Sequence, residues 1–377
     1  MVQPLTYFPN LDGWRFLAFL SVFFYHAFHT EYEYIKMAPT YKVIKGAFQN
    51  GNLGVDFFFV LSGFLIIYLL IAEKQTTGKI DATKFYMRRI LRIFPLYYFC
   101  VFFGFVIFPL LKNQLGVVSE ETAYLPYYLF FLGNIDIINN QTLPDAGVLG
   151  ILWSVSVEEQ FYLTIPFVLL AAPVRMFKWI FASVIVISWL FRGVNADDNF
   201  VLTFHSFSFI GNLAIGGLIA YYSCTSRRFV TFFEDLDHRI IKFVYFGVVA
   251  IFFFREAIFS TNWLNVFGTS VIATLFAFII LEQNFSKHSF FKMKNNWLFT
   301  SLGKYTYGLY CLHIIAALLV LQTTKFLGLN TLLWHVIGIE MPLMFLLTVL
   351  MAYLSYRYFE RPFLSLKTRF SVVSKNV

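Results

Sequence analysis

Arg15 and His26 stand eleven residues apart in the apolar stretch Leu11–His26 that opens the chain. Eleven steps of about 100° return to nearly the same helix face, and at about 1.5 Å of rise each they span roughly 16 Å. A guanidinium and a titratable imidazole would thus share one face of a first membrane span, about half a bilayer apart. Ionisable groups inside a span are costly, which makes them functional suspects. Taken singly, Arg15 reads equally well as a snorkelling interfacial residue and His26 as a hydrogen-bonded packing residue. Their common face favours a joint role.

Further polar residues interrupt other apolar runs. Glu158 and Glu159 enter the stretch Leu152–Leu163 side by side. Adjacent helical residues point about 100° apart, so one carboxylate is expected to face a pocket and the other to make a structural contact. Asp56 lies near the start of Gly54–Phe64, where it either faces the outer surface or caps a helix N-terminus. Ser62 and Gly63, small residues in the same run, suit close helix packing. In Arg88-Arg89-x-x-Arg92, the first and last arginines are four apart and share a face. Three guanidiniums can grip phosphates bidentately. They can also be a topology signal drawn to anionic lipid. Tyr310 and His313, three apart, could line one cavity wall, and Glu360-Arg361-Pro362 reads as a structural terminus. A His and a carboxylate toward one side, with an arginine cluster toward the other, suit transfer of a group from a phosphate-bearing cytoplasmic donor to an outer acceptor. No nucleophile elbow, P-loop or dinucleotide fingerprint occurs.

The elements that must position these residues follow from composition. Of 377 residues, 59% are hydrophobic, 21% aromatic and only 13% charged, where a soluble domain is nearer a quarter charged. Fifty Phe and 22 Tyr exceed what one soluble core holds. The expected fold is all-α: a polytopic membrane bundle of about ten transmembrane helices, at roughly 11–29, 54–72, 93–111, 150–171, 177–193, 204–222, 240–254, 264–283, 302–324 and 334–357. Tyr124–Leu132 is expected to be a short re-entrant or interfacial helix packed on protein, because a full crossing there would put a basic cluster outside. Residues 1–363 form one membrane domain, followed by a loose cytoplasmic tail, 364–377.

Basic residues cluster at 73–92, 172–178, 223–242, 284–300 and after 360, which places those segments and both termini in the cytoplasm. That bias accounts for the net charge of +8, and no nucleic-acid partner is expected. The N-terminus lacks a basic n-region, and Asp12 and Arg15 interrupt its apolar run, so it is expected to be a retained span. The three Cys and seven His show no metal-ligand or disulfide spacing.

Taken together and in order, Arg15-x10-His26, Gly54–Phe64, Arg88-Arg89-x-x-Arg92, Trp153–Tyr162 and Gly303–Tyr310 resemble the membrane acyltransferase-3 family, which O-acetylates cell-surface carbohydrates. The resemblance covers nearly the whole chain. It implies acetyl-CoA or another acyl-CoA as co-substrate, with no permanently bound cofactor, and Arg88, Arg89 and Arg92 at its phosphates. It implies an acceptor hydroxyl on a surface glycan or glycan-lipid, such as lipopolysaccharide or exopolysaccharide, outside the cell inner (plasma) membrane. His26 is expected to act as general base, Glu158 to orient it, and Arg15 to steer the donor. Asp56, Trp153, Ser154, Tyr310 and His313 are expected to line the substrate site. Some relatives carry a fused extracytoplasmic hydrolase-like domain. Ending at 377 without one, the chain is expected to deliver acetyl directly or through a separate envelope-biosynthesis partner. The rival readings are a transporter or flippase for a glycan precursor, which would need no donor, and an inactive partner in a biosynthetic complex. The first lacks the paired broken helices of alternating access.

Overall fold

A computed structural model describes residues 7–259 and 262–370, and among them every regular element is helical. Lys375 and the rest of the expected tail beyond 370 lie outside the described residues. The helices that build the bundle are α1 (Pro9–Ala27), α2 (Leu53–Thr77), α3 (Ala82–Phe102), α4 (Leu125–Leu129), α5 (Trp153–Ala171), α6 (Phe177–Val194), α7 (Ser206–Thr225), α8 (His238–Ile258), α9 (Asn262–Phe285), α10 (Trp297–Gly303), α11 (Thr306–Phe326), α12 (Met341–Leu354) and α13 (Arg361–Leu366).

Seven helical stretches among the described residues are long and apolar enough to cross a membrane, fewer than the ten expected: 53–77, 82–114, 174–194, 199–225, 266–285, 306–326 and 333–366. The other three expected spans, 11–29, 150–171 and 240–254, do fold as the helices α1, α5 and α8. They fall short because polar residues dilute them: Asn10, Asp12 and Arg15 in α1; Glu158, Glu159 and Gln160 in α5; Arg239, Lys242, Arg255 and Glu256 in α8. Two of those three helices carry the candidate chemistry. The segment Tyr124–Leu132 contains only the five-residue α4, too short to cross. It is pinned to α3 by Tyr97 and Tyr98, whose hydroxyls donate to the carbonyls of Tyr128 (2.8 Å) and Leu129 (2.9 Å). Contrary to the expectation of full cover by protein, Tyr124 and Phe130 are exposed, because a helix of five residues buries one face only.

Two close approaches set the frame. α2 packs along α7 with backbones nearly touching: a side chain at Gly63 would strike the Leu213 carbonyl, and one at Gly216 the Val60 carbonyl. Small residues allow this approach without a hydrophobic driving force between helices. At the other contact, Gly303 lies against the backbone of Asp12, so α10 sits tight on α1. That contact fixes where the next residue, Lys304, is presented. After α12 the helix continues through a π-helical stretch, Ser355–Glu360, into α13 and a 3₁₀ turn, Lys367–Phe370, both packed on α3. The tail expected to be loose after Phe363 is folded back onto the bundle through Phe370.

Candidate functional site

α1, α2, α3, α5, α10, α11 and the turn after α13 enclose a cavity of about 760 Å³. One end is basic: Arg15, Arg89, Arg92, Lys304 and Lys367 line it. Arg15 is paired with Asp12 at 2.5 Å, and the Tyr7 hydroxyl also donates to Asp12. Arg89 lies over the rings of Phe85 and Tyr162, at 5.9 and 5.6 Å, and its buried Nε has no hydrogen-bond partner. Among the described residues Arg89, Arg92, Lys304 and Lys367 make no ion pair. The charges of Glu158 and Glu159 act on Arg89 and those of Glu158 and Glu360 on Arg92 without contact, and Lys304 is exposed.

Further in, Glu158 lines the cavity and accepts from Ser62 Oγ (2.8 Å) and Tyr162 Oη (3.1 Å). Ser62 therefore does more than permit packing. Glu159 is outside the lining, and its buried Oε1 has no hydrogen-bond partner. The split between the two carboxylates is as the 100° argument requires, but the second makes no structural bond through that oxygen. Ser154 and Tyr310 meet at 2.7 Å, and both hydroxyls lie near the Ile151 carbonyl, at 3.3 and 3.1 Å. One hydroxyl donates to that carbonyl and the other donates to the first.

Next to Tyr310 lies the imidazole pair. His313, 1% exposed, holds its Nδ1 at 2.6 Å from the Tyr310 carbonyl, and its Nε2 at 3.3 Å from His26 Nδ1. His26 Nδ1 is also 3.0 Å from the Val22 carbonyl. A carbonyl can only accept, so both Nδ1 atoms carry the proton in the neutral rings. The Nδ1–H of His26 is then shared between the Val22 carbonyl and the His313 Nε2 lone pair, and the Nε2 of His26 keeps a free lone pair. Arg15 and His26 do lie on one continuous helix, α1, but only Arg15 lines the cavity.

The remaining expected site residues separate. Arg88 is not in the lining. Its Nη1 donates to the Phe370 carbonyl (2.8 Å) and its Nη2 pairs with Glu73 (3.4 Å), so it holds the C-terminal turn where we expected it to hold phosphate. Asp56, 4% exposed, accepts from Asn212 Nδ2 at 2.8 Å and ties α2 to α7 away from the cavity. Trp153 is wedged among Phe59, Phe204 and Phe209 at centroid distances of 6.0, 5.4 and 5.2 Å. The structure brings His26 to His313, whereas the hydrogen bonds of Glu158 run to Ser62 and Tyr162. Sequence reasoning missed Lys304, Lys367, Tyr162 and the lining role of Glu360. Tyr162, four residues after Glu158 and so on its face, was findable.

The fold and the cavity define an all-helical, multi-pass membrane protein with an internal polar site open toward a cluster of cations. The chain belongs to the acyltransferase-3 family, whose profile, described as an acyltransferase domain, matches residues 8–357. It is 28% identical over 384 residues to the O-acetyltransferase OatA of Staphylococcus aureus strain NCTC 8325 / PS 47, and equally to that of strain COL. These alignments cover 96% of this chain and 58% of each relative, so the chain spans little more than half the length of the relatives it matches. No solved structure matches it.

Proposed function

We propose that the chain is a membrane O-acyltransferase that moves an acetyl or other short acyl group from cytoplasmic acyl-CoA to a hydroxyl of an envelope glycan on the outer side. The observation that carries this reading is one cavity with unpaired cations at its mouth and, beside Tyr310 of its lining, an imidazole pair with one free ring nitrogen. The family and the relatives' name, O-acetyltransferase, support acetyl as the group and oxygen as the acceptor atom. The positive-inside bias supports a plasma-membrane protein with the cation-lined mouth and both termini toward the cytoplasm.

In this mechanism Arg89 and Arg92 hold the donor phosphates. Arg15, kept in place by Asp12, guides the pantetheine arm past Glu158 toward Ser154 and Tyr310. His26 Nε2 takes the proton of the acceptor hydroxyl as its oxygen attacks the thioester carbonyl. The C–O bond forms, the C–S bond breaks, and the proton passes on to the leaving thiolate, giving an ester and free CoA. His313 takes the orienting place expected of Glu158. Its lone pair faces the Nδ1–H of His26, which becomes the stronger donor once His26 is protonated, as the third group of a triad requires. Glu158 instead anchors Tyr162, on which Arg89 stacks.

The test is transfer of labelled acetyl from acetyl-CoA to glycan in membranes holding intact protein or His26→Ala at equal expression. Label incorporated only by the intact protein is the expected result. A folded His26→Ala protein that transfers normally would remove His26 from the chemistry. No label in either membrane would overturn acetyl-CoA as donor and favour the transporter reading.

A further inference from the structure

We propose that the C-terminal segment 361–370 completes the donor site: Lys367, held over the mouth of the cavity by the bond from Arg88 to the Phe370 carbonyl, joins Lys304 in binding the phosphates of the nucleotide end of the donor. The inference rests on the acyl-CoA reading above and extends it to residues outside the arginine motif. Lys367 lies beyond residue 357, where the family match ends, so this part of the site belongs to the chain's own C-terminal segment.

Charge is the first argument. Five cations line the cavity against three carboxylates, and of the five only Arg15 makes an ion pair among the described residues. Asp12 pairs with Arg15, Glu158 accepts from Ser62 and Tyr162, and Glu360 accepts from Ser355 at 2.9 Å. Lys304 and Lys367 thus line the same cavity as Arg89 and Arg92, and none of the four makes an ion pair among the described residues. Burial, and then the fields of Arg92, Arg89, Arg88 and Arg15, push the Lys367 ammonium down to about 7. A bound polyanion would relieve the whole cluster. The second argument is placement. Two independent contacts bring the lysines here: Gly303 on the Asp12 backbone for Lys304, and for Lys367 the Arg88–Phe370 bond, itself braced by Glu73. Glu73 in turn accepts from the Asp81 amide at 2.7 Å. The ligand these cations suit carries several negative charges within one cavity. Two chemistries supply that, the phosphates of a coenzyme A and the headgroup of an anionic lipid, and the enclosed lining shared with Glu158 and Tyr310 favours the coenzyme.

The experiment uses the full chain in nanodiscs and measures binding of coenzyme A and of its fragment 3′,5′-ADP by calorimetry. Wild type, Lys367→Met and Lys367→Arg are compared, with equal thermal unfolding as the control for folding. The expected result at pH 6 is that Lys367→Met weakens both probes at least tenfold with a shallower salt dependence, while Lys367→Arg binds like wild type. Lys367→Met binding both probes as tightly as wild type would overturn the inference and leave the donor reading standing. Wild type binding neither probe would overturn both. If Lys367→Met changes retention of phosphatidylglycerol but not coenzyme binding, the segment is a lipid site and the inference is likewise overturned.

Discussion

Replacing Arg92 with Gln removes a lining cation that makes no hydrogen bond or ion pair among the described residues. The change breaks no hydrogen bond or ion pair within the described residues and only weakens the field on Glu158 and Glu360, so its main cost falls on the ligand. A hydrogen bond between a charged donor and an ionised acceptor contributes about 1.5–3 kcal/mol net, which at about 1.4 kcal/mol per decade is about 10- to 150-fold in donor KM. The acylation steps lie further along the cavity, so kcat should change by no more than about threefold. Arg88→Gln is the internal contrast. It keeps every lining cation, but unpairs buried Glu73 and loosens the C-terminal turn that carries Lys367, so it should raise KM less and lower thermal stability more. The assay is initial rate against acetyl-CoA with protein reconstituted in proteoliposomes, repeated at two salt concentrations, because exposed phosphate contacts are screened. An unchanged KM in Arg92→Gln, or a larger KM effect in Arg88→Gln, would refute the separation of the two arginines.

His313→Gln should lower kcat about 10- to 100-fold with the donor KM unchanged, less than the loss at His26 itself, since it removes an orienting partner and not the base; equal effects on both parameters would argue for a structural role. Gly63→Val should destabilise the bundle by at least about 1–3 kcal/mol, because the Leu213 carbonyl in its way is backbone and cannot swing aside, and a lowered unfolding midpoint in detergent checks it. Coenzyme binding should weaken about tenfold between pH 6 and pH 8 in wild type relative to Lys367→Arg. With its free value near 7, Lys367 is charged below that pH and neutral above it, and anion binding must restore the proton. Tyr7, Asp12, Arg15, Arg88, Arg89, Arg92, Glu158, Tyr162, Lys304, Tyr307, Tyr310, Tyr356 and Glu360 are the other titratable or charged groups that line the cavity or act on Lys367; matching pH profiles for wild type and Lys367→Arg would assign any dependence to them or to the ligand.

The helices were legible because apolar runs of the right length leave little else to form, and the three that miss a span's hydropathy are those laced with polar residues. The motif residues were legible as a set, since each is an expensive group in an apolar run. Their partners were not. Glu158 and His26 are both expected toward one side of the membrane, but that leaves the azimuth open, and Glu158 turns to Ser62 and Tyr162 while His26 turns to His313. Arg88 and Arg92 share a helix face, yet one turn of axial offset puts the first against the C-terminal turn and the second in the cavity. Lys304 and Lys367 carried no local signal. Each is one more basic residue at a membrane edge until α10 and the C-terminal turn fold across α1 and α3. Asp12 was read as an interruption of an apolar run, and its value as the partner of Arg15 appears once the helix places them three residues apart on one face.

The most direct test of transfer across the membrane uses sealed proteoliposomes that carry glycan acceptor only inside, with protein oriented so that the Lys304–Lys367 face is outward. Labelled acetyl-CoA, which does not cross the bilayer, is added outside. The account requires label on the enclosed acceptor with intact protein and none with His26→Ala, while labelled coenzyme stays outside. Label reaching the enclosed acceptor only when acetyl-CoA is also trapped inside would contradict it, because donor and acceptor would then meet on the same side.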